Sequence, residues 1–378
     1  MAKIFFSSEW IKENVIVPDK HEWYDDAATG YGNFRKIVRS WLISNGHEIT
    51  KYPDNADVEI LVGDVGVKSD PHIYPSIIFT MFEIDRFPPH WIPGLPNWDF
   101  VALPSRWCVE CFSKQFVDTG LDDRTDRLRY VPIGINPLNF PYMDRPDRST
   151  WTIVVQGVEL KDRKGLMYLH SVMQKYRLPE NIRVWLKLLP VGKDGVIGAN
   201  QDQVVGRLRI CASMLDTKQF QDFLYECDYS INPTSGEGFG LIPLEHLSTG
   251  LGVSVTPYSG VMEYYTDRFF RPISFGFEPG THLKSKVAKP KVESIYEEIM
   301  WSYRNREKVR EIGKEGSKWV QENWTANKMT ENMNKLLEEA LKIERRVNKN
   351  RKPIFVRYEE TNTFLREKPP NAISHPTI

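Results

Sequence analysis

Short apolar runs recur along this chain with helical segments between them, and that alternation narrows the folds open to it. "KIFF" (3–6), "VEILVGD" (58–64), "SIIFTMF" (76–82), "FVALPS" (100–105) and "RYVPIGI" (129–135) are apolar on successive residues, as strands are when both faces of a parallel sheet are covered. Between the first two, "TGYGNFRKIVRSWLISNGHEITKY" (29–52) places Phe34, Ile37, Val38, Trp41 and Leu42 at helical spacing. Gly46 then stops the helix before an extended "HEITKY". Strand, glycine loop, helix and strand make a βαβ unit, and its repetition predicts a doubly wound parallel sheet.

The pattern breaks once, at "PLNFPYMDRPDRST" (137–150), where three prolines and four charges without a period read as a linker. Strands resume with "TIVVQG", "RVWLKLL", "RLRICAS", "DYSINP" and "GVSVT", separated by helical segments such as "KGLMYLHSVMQKY" and "TKQFQDFLYEC". From residue 294 onward the period and the residue types are helical. The expected organisation is a first Rossmann-like domain over 1–145, a second over 146–334, and a helical, basic tail over 335–378. A chain of 378 residues exceeds one core and accommodates two.

Charge and composition exclude several classes. Residues 1–150 carry 16 basic against 22 acidic side chains and the remainder 34 against 28, so the first domain repels polyanions. Lys342 to Arg357 holds seven basic residues and one acid; it reads as a solvated helix end, or as a segment docked on the acidic first domain or on a polyanion. No run of about 18 apolar residues is present, and "MAKIFFSSEW" lacks the apolar core of a secretory signal, so a cytoplasmic protein without a transmembrane segment is expected. Cys108 and Cys111 form a CxxC with no second close pair, which reads as two small helix-borne residues rather than a zinc or redox site.

The chemistry concentrates in "NPTSGEGFGLIPLEHLSTGLG" (232–252). "DYSINP" reads as a strand, "TSGEGFG" as the loop at its C-terminal end, and "LIPLEHLST" as the helix that follows, with Pro243 in its first turn and Gly250 as its left-handed stop. Ligands of open α/β sheets bind at that edge. A glycine loop entering a helix offers N–H groups to a phosphate or diphosphate. Glu245 suits the vicinal hydroxyls of a ribose, and Glu237 the hydroxyls of whatever the diphosphate carries. Diphosphate, ribose and a hydroxylated group describe a nucleotide sugar. The plainer alternative is a first-turn carboxylate favoured by the helix dipole and an ordinary loop acid.

"EGFGLIPLE" resembles the Glu-x7-Glu motif of the large retaining glycosyltransferase family that contains sucrose synthase and many bacterial mannosyl- and glucosyltransferases, glycosyltransferase family 4. "TGYGNFRKIVRSWLISNGHEIT", "TMFEIDRFPPHW", "ALPSRWCVECF", "VPIGIN", "ELKDRKGLMYL" and "ENWTANKM" resemble further segments of that family in the same order, over roughly residues 3 to 330. The resemblance implies the GT-B fold, an α/β architecture of two Rossmann-like doubly wound parallel-sheet domains facing a cleft. It implies that Glu237 contacts the donor sugar and Glu245 the donor ribose. The N–H groups of Gly238, Phe239, Gly240 and Leu241 would cradle the diphosphate, and Lys164 would stabilise the leaving group. Gly30 and Gly32 would let the first domain approach the phosphates. The implied reaction needs no cofactor beyond a nucleoside-diphosphate sugar as co-substrate, and no metal; the implied acceptor is a glycan, a lipid-linked molecule or a small molecule.

Two departures stand out. Val158 occupies a place where the family usually has an arginine, leaving that diphosphate contact missing or supplied by Lys161, Arg163 or Lys187. The segment "TMFEIDR" stands where a site histidine is common, so Glu83 or Asp85 would face the transferred sugar, unless both are plain loop charges or caps. His246 points about 100° away from Glu245 around the helix and reads as structural. Two other readings keep the fold: a glycosyltransferase acting on a nucleic acid base, as in viral DNA glucosyltransferases, and a nucleotide-sugar-binding scaffold without turnover.

Overall fold

The computed structural model describes residues 1–7, 30–50, 52–65, 70–158, 162–189, 201–280 and 285–349. Its first half runs β1 (Lys3–Phe6), α1 (Gly30–Ser44), β2 (Glu48–Thr50), β3 (Val58–Val62), β4 (Ile73–Tyr74), β5 (Ser76–Phe79), β6 (Phe100–Leu103), α2 (Arg106–Asp118) and β7 (Leu128–Tyr130). Six of these strands form one parallel sheet in the order β2-β1-β3-β5-β6-β7. The apolar stripe of α1 does what its spacing predicts: Phe34, Val38, Trp41 and Leu42 are buried against Ile4, Phe6 and Ile60 on one face. On the other face, Phe112 and Phe116 of α2 pack with Val101 and Leu103. Cys108 is buried and Cys111 half-buried on α2, and both thiols are free.

The second half runs β8 (Trp151–Val158), α3 (Leu166–Lys175), β9 (Ile182–Leu189), β10 (Gln201–Val205), β11 (Leu208–Ala212), α4 (Thr217–Tyr225), β12 (Tyr229–Asn232), α5 (Leu241–Ser248), β13 (Gly252–Val255), β14 (Phe270–Pro272), β15 (Phe275–Pro279), β16 (Lys286–Pro290), α6 (Val292–Arg304), α7 (Arg306–Asn323), α8 (Thr330–Ala340) and β17 (Arg346–Val347). The seven-stranded sheet has the order β10-β11-β9-β8-β12-β13-β14, parallel except for the β10–β11 hairpin at its edge. Strand β8 shows why its sequence is mostly apolar: Trp151, Ile153 and Val155 face one core and Val154 the other. Helix α4 opens with a reciprocal cap between Asp216 and Gln219.

The linker carries the joint. Arg145 is buried, and its guanidinium donates to the carbonyls of Met143, Leu224, Cys227 and Thr249 and to the Thr249 hydroxyl. One planar cation thereby serves the C-terminal ends of α4 and α5, where carbonyls are unpaired and the helix dipole is negative.

After α7 the chain returns to the first sheet. Ile135 and Thr325 form a parallel bridge, with Ile135 N–H on the Trp324 carbonyl at 2.8 Å. The segments "VPIGIN" and "ENWTANKM" therefore meet, and only Arg129 and Tyr130 of "RYVPIGI" belong to the sheet strand, which begins one residue earlier at Leu128. Arg129 grips Glu339 of α8, Trp41 donates to Thr330, and β17 pairs with β4. Residues 350–378, with most of the basic tail, lie outside the described residues. Among the described residues, no helix is long and apolar enough to cross a membrane.

Candidate functional site

The loop 233–240 joins the C-terminal end of β12 to α5. Gly240, with φ of +85°, turns the chain into the helix, and Gly250, at +89°, ends the turn beyond it. A neighbouring turn from β8 to α3 supports the loop, since Ser235 N–H donates to the Arg163 carbonyl at 2.8 Å. Phe239 is buried behind it, with Tyr264 and Trp324 centroids at 5.5 and 6.0 Å.

Four charged side chains converge there. Lys164 Nζ donates to Glu237 Oε1 at 2.7 Å, and Arg163 Nη1 donates to Glu237 Oε2 at 3.1 Å and to the Gly236 carbonyl at 3.2 Å. Arg163 Nη2 lies 3.4 Å from Glu83 Oε1, which comes from the first domain. Burial acts to raise the Glu237 carboxyl, but Lys164 and Arg163 outweigh it and hold it below the ordinary carboxylate value. One turn into α5, Glu245 is 7% exposed and has no hydrogen-bond or ion-pair partner among the described residues. Burial pushes it up to about 7 against the pull of Lys164.

The first domain closes directly on this loop. An added Cβ at Gly236 would stand 2.0 Å from the Glu83 carbonyl oxygen, and one at Gly238 would stand 2.8 Å from Met81 Cβ, so only glycine permits that approach. Ser105, the N-cap of α2, donates to the Gly238 carbonyl at 2.7 Å. Glu263 of the second domain caps the same helix: its carboxylate accepts from Arg106 N–H at 2.8 Å, from the Arg106 guanidinium and from Tyr130 Oη at 2.6 Å. Tyr31 fixes the Met81 segment, donating to the Met81 carbonyl at 2.8 Å with Thr80 Oγ1 at 3.1 Å.

The expected site residues thus divide. Lys164, Arg163, Glu237 and Glu83 form one cluster, and Gly238, Phe239, Gly240 and Leu241 lie beside it. Asp85 is turned away, accepting Lys286 N–H at 2.7 Å from β16. Gly30 and Gly32 belong to the first turn of α1 rather than to a loop before it. Lys187 donates to the Leu188 and Ser213 carbonyls, a backbone-bracing contact. His246 is buried between Ser230 Oγ at 2.6 Å and Gln156 Oε1 at 2.9 Å, and burial lowers it to about 3, so it is a neutral structural bridge. Val158 ends β8. Lys161 lies outside the described residues. Glu263 and Ser105 escaped the sequence reading; only Ser105, before a helical period, carried a signal, that of an N-cap.

Two parallel-sheet domains whose strand ends meet across a glycine loop, with a C-terminal segment crossing back, constitute the GT-B fold. Solved structures agree. The chain resembles HepE of Anabaena in complex with UDP-glucose at 12% identity and a TM-score of 0.57, over 90% of this chain and 100% of that one. It resembles a UDP-forming α,α-trehalose-phosphate synthase of Burkholderia xenovorans (10%, 0.56) and the sucrose-phosphate synthase of Thermosynechococcus elongatus (11%, 0.53), each over 82% of this chain and 78% of the other. At such identities the likeness is one of fold. A family model described as glycosyl transferase family 90 matches residues 259–360, a stretch that begins after Glu245. That is a different family from the one the Glu-x7-Glu motif resembles. No curated protein matches the chain.

Proposed function

We propose that this protein is a glycosyltransferase that moves a sugar from a nucleoside-diphosphate sugar to an acceptor hydroxyl with retention at the anomeric carbon. The observation that carries the reading is the pair Glu237 and Glu245 on the loop and first turns after β12, with Lys164 and Arg163 against the first of them. The GT-B fold and the glycosyltransferase family match support the class. Glu245, buried and unpartnered, is suited to the two ribose hydroxyls. Glu237 orients hydroxyls of the donor sugar, with Glu83 facing the same sugar from the first domain. Gly238, Phe239, Gly240 and Leu241 present the start of α5 to the diphosphate.

In this scheme the bond from the anomeric carbon to the diphosphate oxygen breaks while an acceptor hydroxyl bonds to that carbon on the same face. The hydroxyl proton passes to the departing phosphate oxygen. The protein positions the partners and stabilises the growing negative charge, with Lys164 and Arg163 as the cations. The scheme requires no metal ion and no resident cofactor. A glycan, lipid-linked or small-molecule acceptor fits the acidic first domain better than a nucleic acid does, and we place the enzyme in the cytoplasm.

The test is a thermal-shift screen against UDP, GDP, ADP, CDP and dTDP and their sugar conjugates, followed by mass spectrometry for released sugar. UDP comes first because the HepE structure holds UDP-glucose. A ligand at about a hundred times its dissociation constant adds about 2.7 kcal/mol, a shift of several degrees. A shift with sugar release supports the transferase. A shift without release in the presence of acceptors marks a binding protein, and no shift sinks the donor assignment.

A further inference from the structure

The β15–β16 hairpin is absent from the simple βαβ pattern and reaches from the second domain to the first. Lys286 N–H meets Asp85. Tyr258, whose ring packs on Phe275 and Phe277 of the hairpin, stands edge-on to Trp107 of α2 with centroids 6.1 Å apart. Beside this contact lies a cavity of about 180 Å³ lined by Asp85, Arg86, Trp107, Glu110, Cys111 and Lys114.

Its polar groups are unevenly engaged. Arg86 is paired with Asp118 at 2.8 Å, and one Asp85 oxygen is taken by the hairpin. The Trp107 indole N–H, the Glu110 carboxylate and the Lys114 ammonium have no hydrogen-bond or ion-pair partner among the described residues, although Glu110 and Lys114 stand one helical turn apart. Two acids and two bases give the lining no net sign, so it selects neither an anion nor a cation. The Trp107 ring beside free donors and acceptors suits a neutral, polyhydroxylated ring, whose C–H face lies on aromatic surface while its hydroxyls bond at the edges.

The cavity also lies next to the transfer site along one loop. The segment after β5 touches Gly238 through Met81, touches Gly236 and Arg163 through Glu83, and reaches the cavity at Asp85. We infer that the cavity between α2 and the Asp85–Arg86 turn is a subsite for a neutral sugar ring of the acceptor. This rests on the glycosyltransferase reading, and it narrows the acceptor to a carbohydrate or a glycoside.

The test is saturation-transfer NMR on the full chain with UDP present, using the methyl glycosides of glucose, galactose, mannose, xylose and N-acetylglucosamine as probes. At least one glycoside is expected to bind, with its dissociation constant raised about tenfold by Trp107→Ala and severalfold by Glu110→Gln, the loss of a ring contact and of a charged hydrogen bond. Glu110 is exposed, so its variant keeps the fold. Failure of every glycoside to bind, or binding that both variants leave unchanged, overturns the subsite. The UDP-induced thermal shift is read on the same samples: its absence from the wild-type chain refutes the donor reading instead, and its persistence in Trp107→Ala separates loss of the subsite from loss of the fold.

Discussion

Glu245→Gln separates the ribose reading from a purely structural one, because the two predict opposite signs. Glu245 in the folded chain holds its proton to about pH 7, against 4.5 for the ordinary side chain. Below pH 4.5 both folded and unfolded states are protonated and stability is unaffected. Between 4.5 and 7 the unfolded chain ionises while the folded one does not, so stability falls as pH rises, and above 7 the folded state carries the full cost of a buried, unpartnered charge. That cost is about 3 kcal/mol, at 1.36 kcal/mol for each tenfold change in proton affinity. Glutamine never ionises. The variant should match the wild type near pH 4.5 and exceed it at pH 8 by about 3 kcal/mol, a rise in Tm of about 6 to 12 °C for a domain of this size. Nucleotide binding should move the other way. Ribose hydroxyls donate to the carboxylate and favour its charged form, so wild-type affinity for the nucleotide should climb with pH up to about 7 and that of the variant should stay flat and weaker. Differential scanning calorimetry at pH 4.5, 6 and 8, with nucleotide titrations at the same values, measures both. A stability difference independent of pH refutes the burial argument; an unchanged nucleotide affinity refutes the ribose assignment.

Three other perturbations test other parts of the structure. Gly236→Ala sets a methyl group 2.0 Å from the Glu83 carbonyl; the domains should fold but meet displaced, and a displacement of about 1 Å should cost about a hundredfold in turnover, measurable as sugar transfer against circular dichroism of the fold. Arg145→Lys replaces a planar fork by one ammonium and leaves several helix-end carbonyls unpaired, a loss of about 2 to 3 kcal/mol in urea unfolding; a loss below about 0.5 kcal/mol would show that water serves those carbonyls equally well. Lys164→Ala should lower turnover more than stability, because Arg163 still partners Glu237, and equal activity would remove Lys164 from the leaving-group site.

Elements made by local chemistry were legible in the sequence, and those made by distant contacts were not. The stripe of α1, the apolar strands β3, β5, β8 and β12, and the cap-to-cap frame of α5 follow from spacing, from Pro243 and from Gly240 and Gly250. Strands β4 and β17 are two residues each and exist only because one pairs with the other across most of the chain. The β15–β16 hairpin carries an exposed Phe277 and the glycine Gly276 in a short run, which gives no clear period. The Glu237 cluster was half visible. Glycines, a helix start and two carboxylates at fixed spacing announced a site, whereas the pairing of Arg163 with both Glu237 and Glu83 depends on how the domains meet. The same holds for Asp85, whose engagement with Lys286 needed the hairpin, and for Glu263, which acts only by reaching the N-terminus of a helix in the other domain.

The pairing around Glu237 explains how a buried, charged cluster persists without a ligand. Arg163 and Lys164 are matched by Glu237 and Glu83, and Glu245 at neutral pH holds its proton about half the time. The cluster is therefore close to neutral, and no isolated cation bears the desolvation cost that burial would otherwise impose. In the proposed scheme a diphosphate arriving at α5 would compete with Glu237 for Lys164, while the sugar it carries would offer hydroxyl donors to the carboxylate oxygen that Lys164 leaves. Such an exchange would conserve the number of charge-assisted hydrogen bonds, so a donor carrying its sugar should be favoured over a bare diphosphate, which would leave Glu237 short of a partner. On this scheme, tighter binding of the sugar-bearing nucleotide than of the bare diphosphate is the outcome expected from the pairing of Glu237 with Lys164, independently of any contact that selects the base.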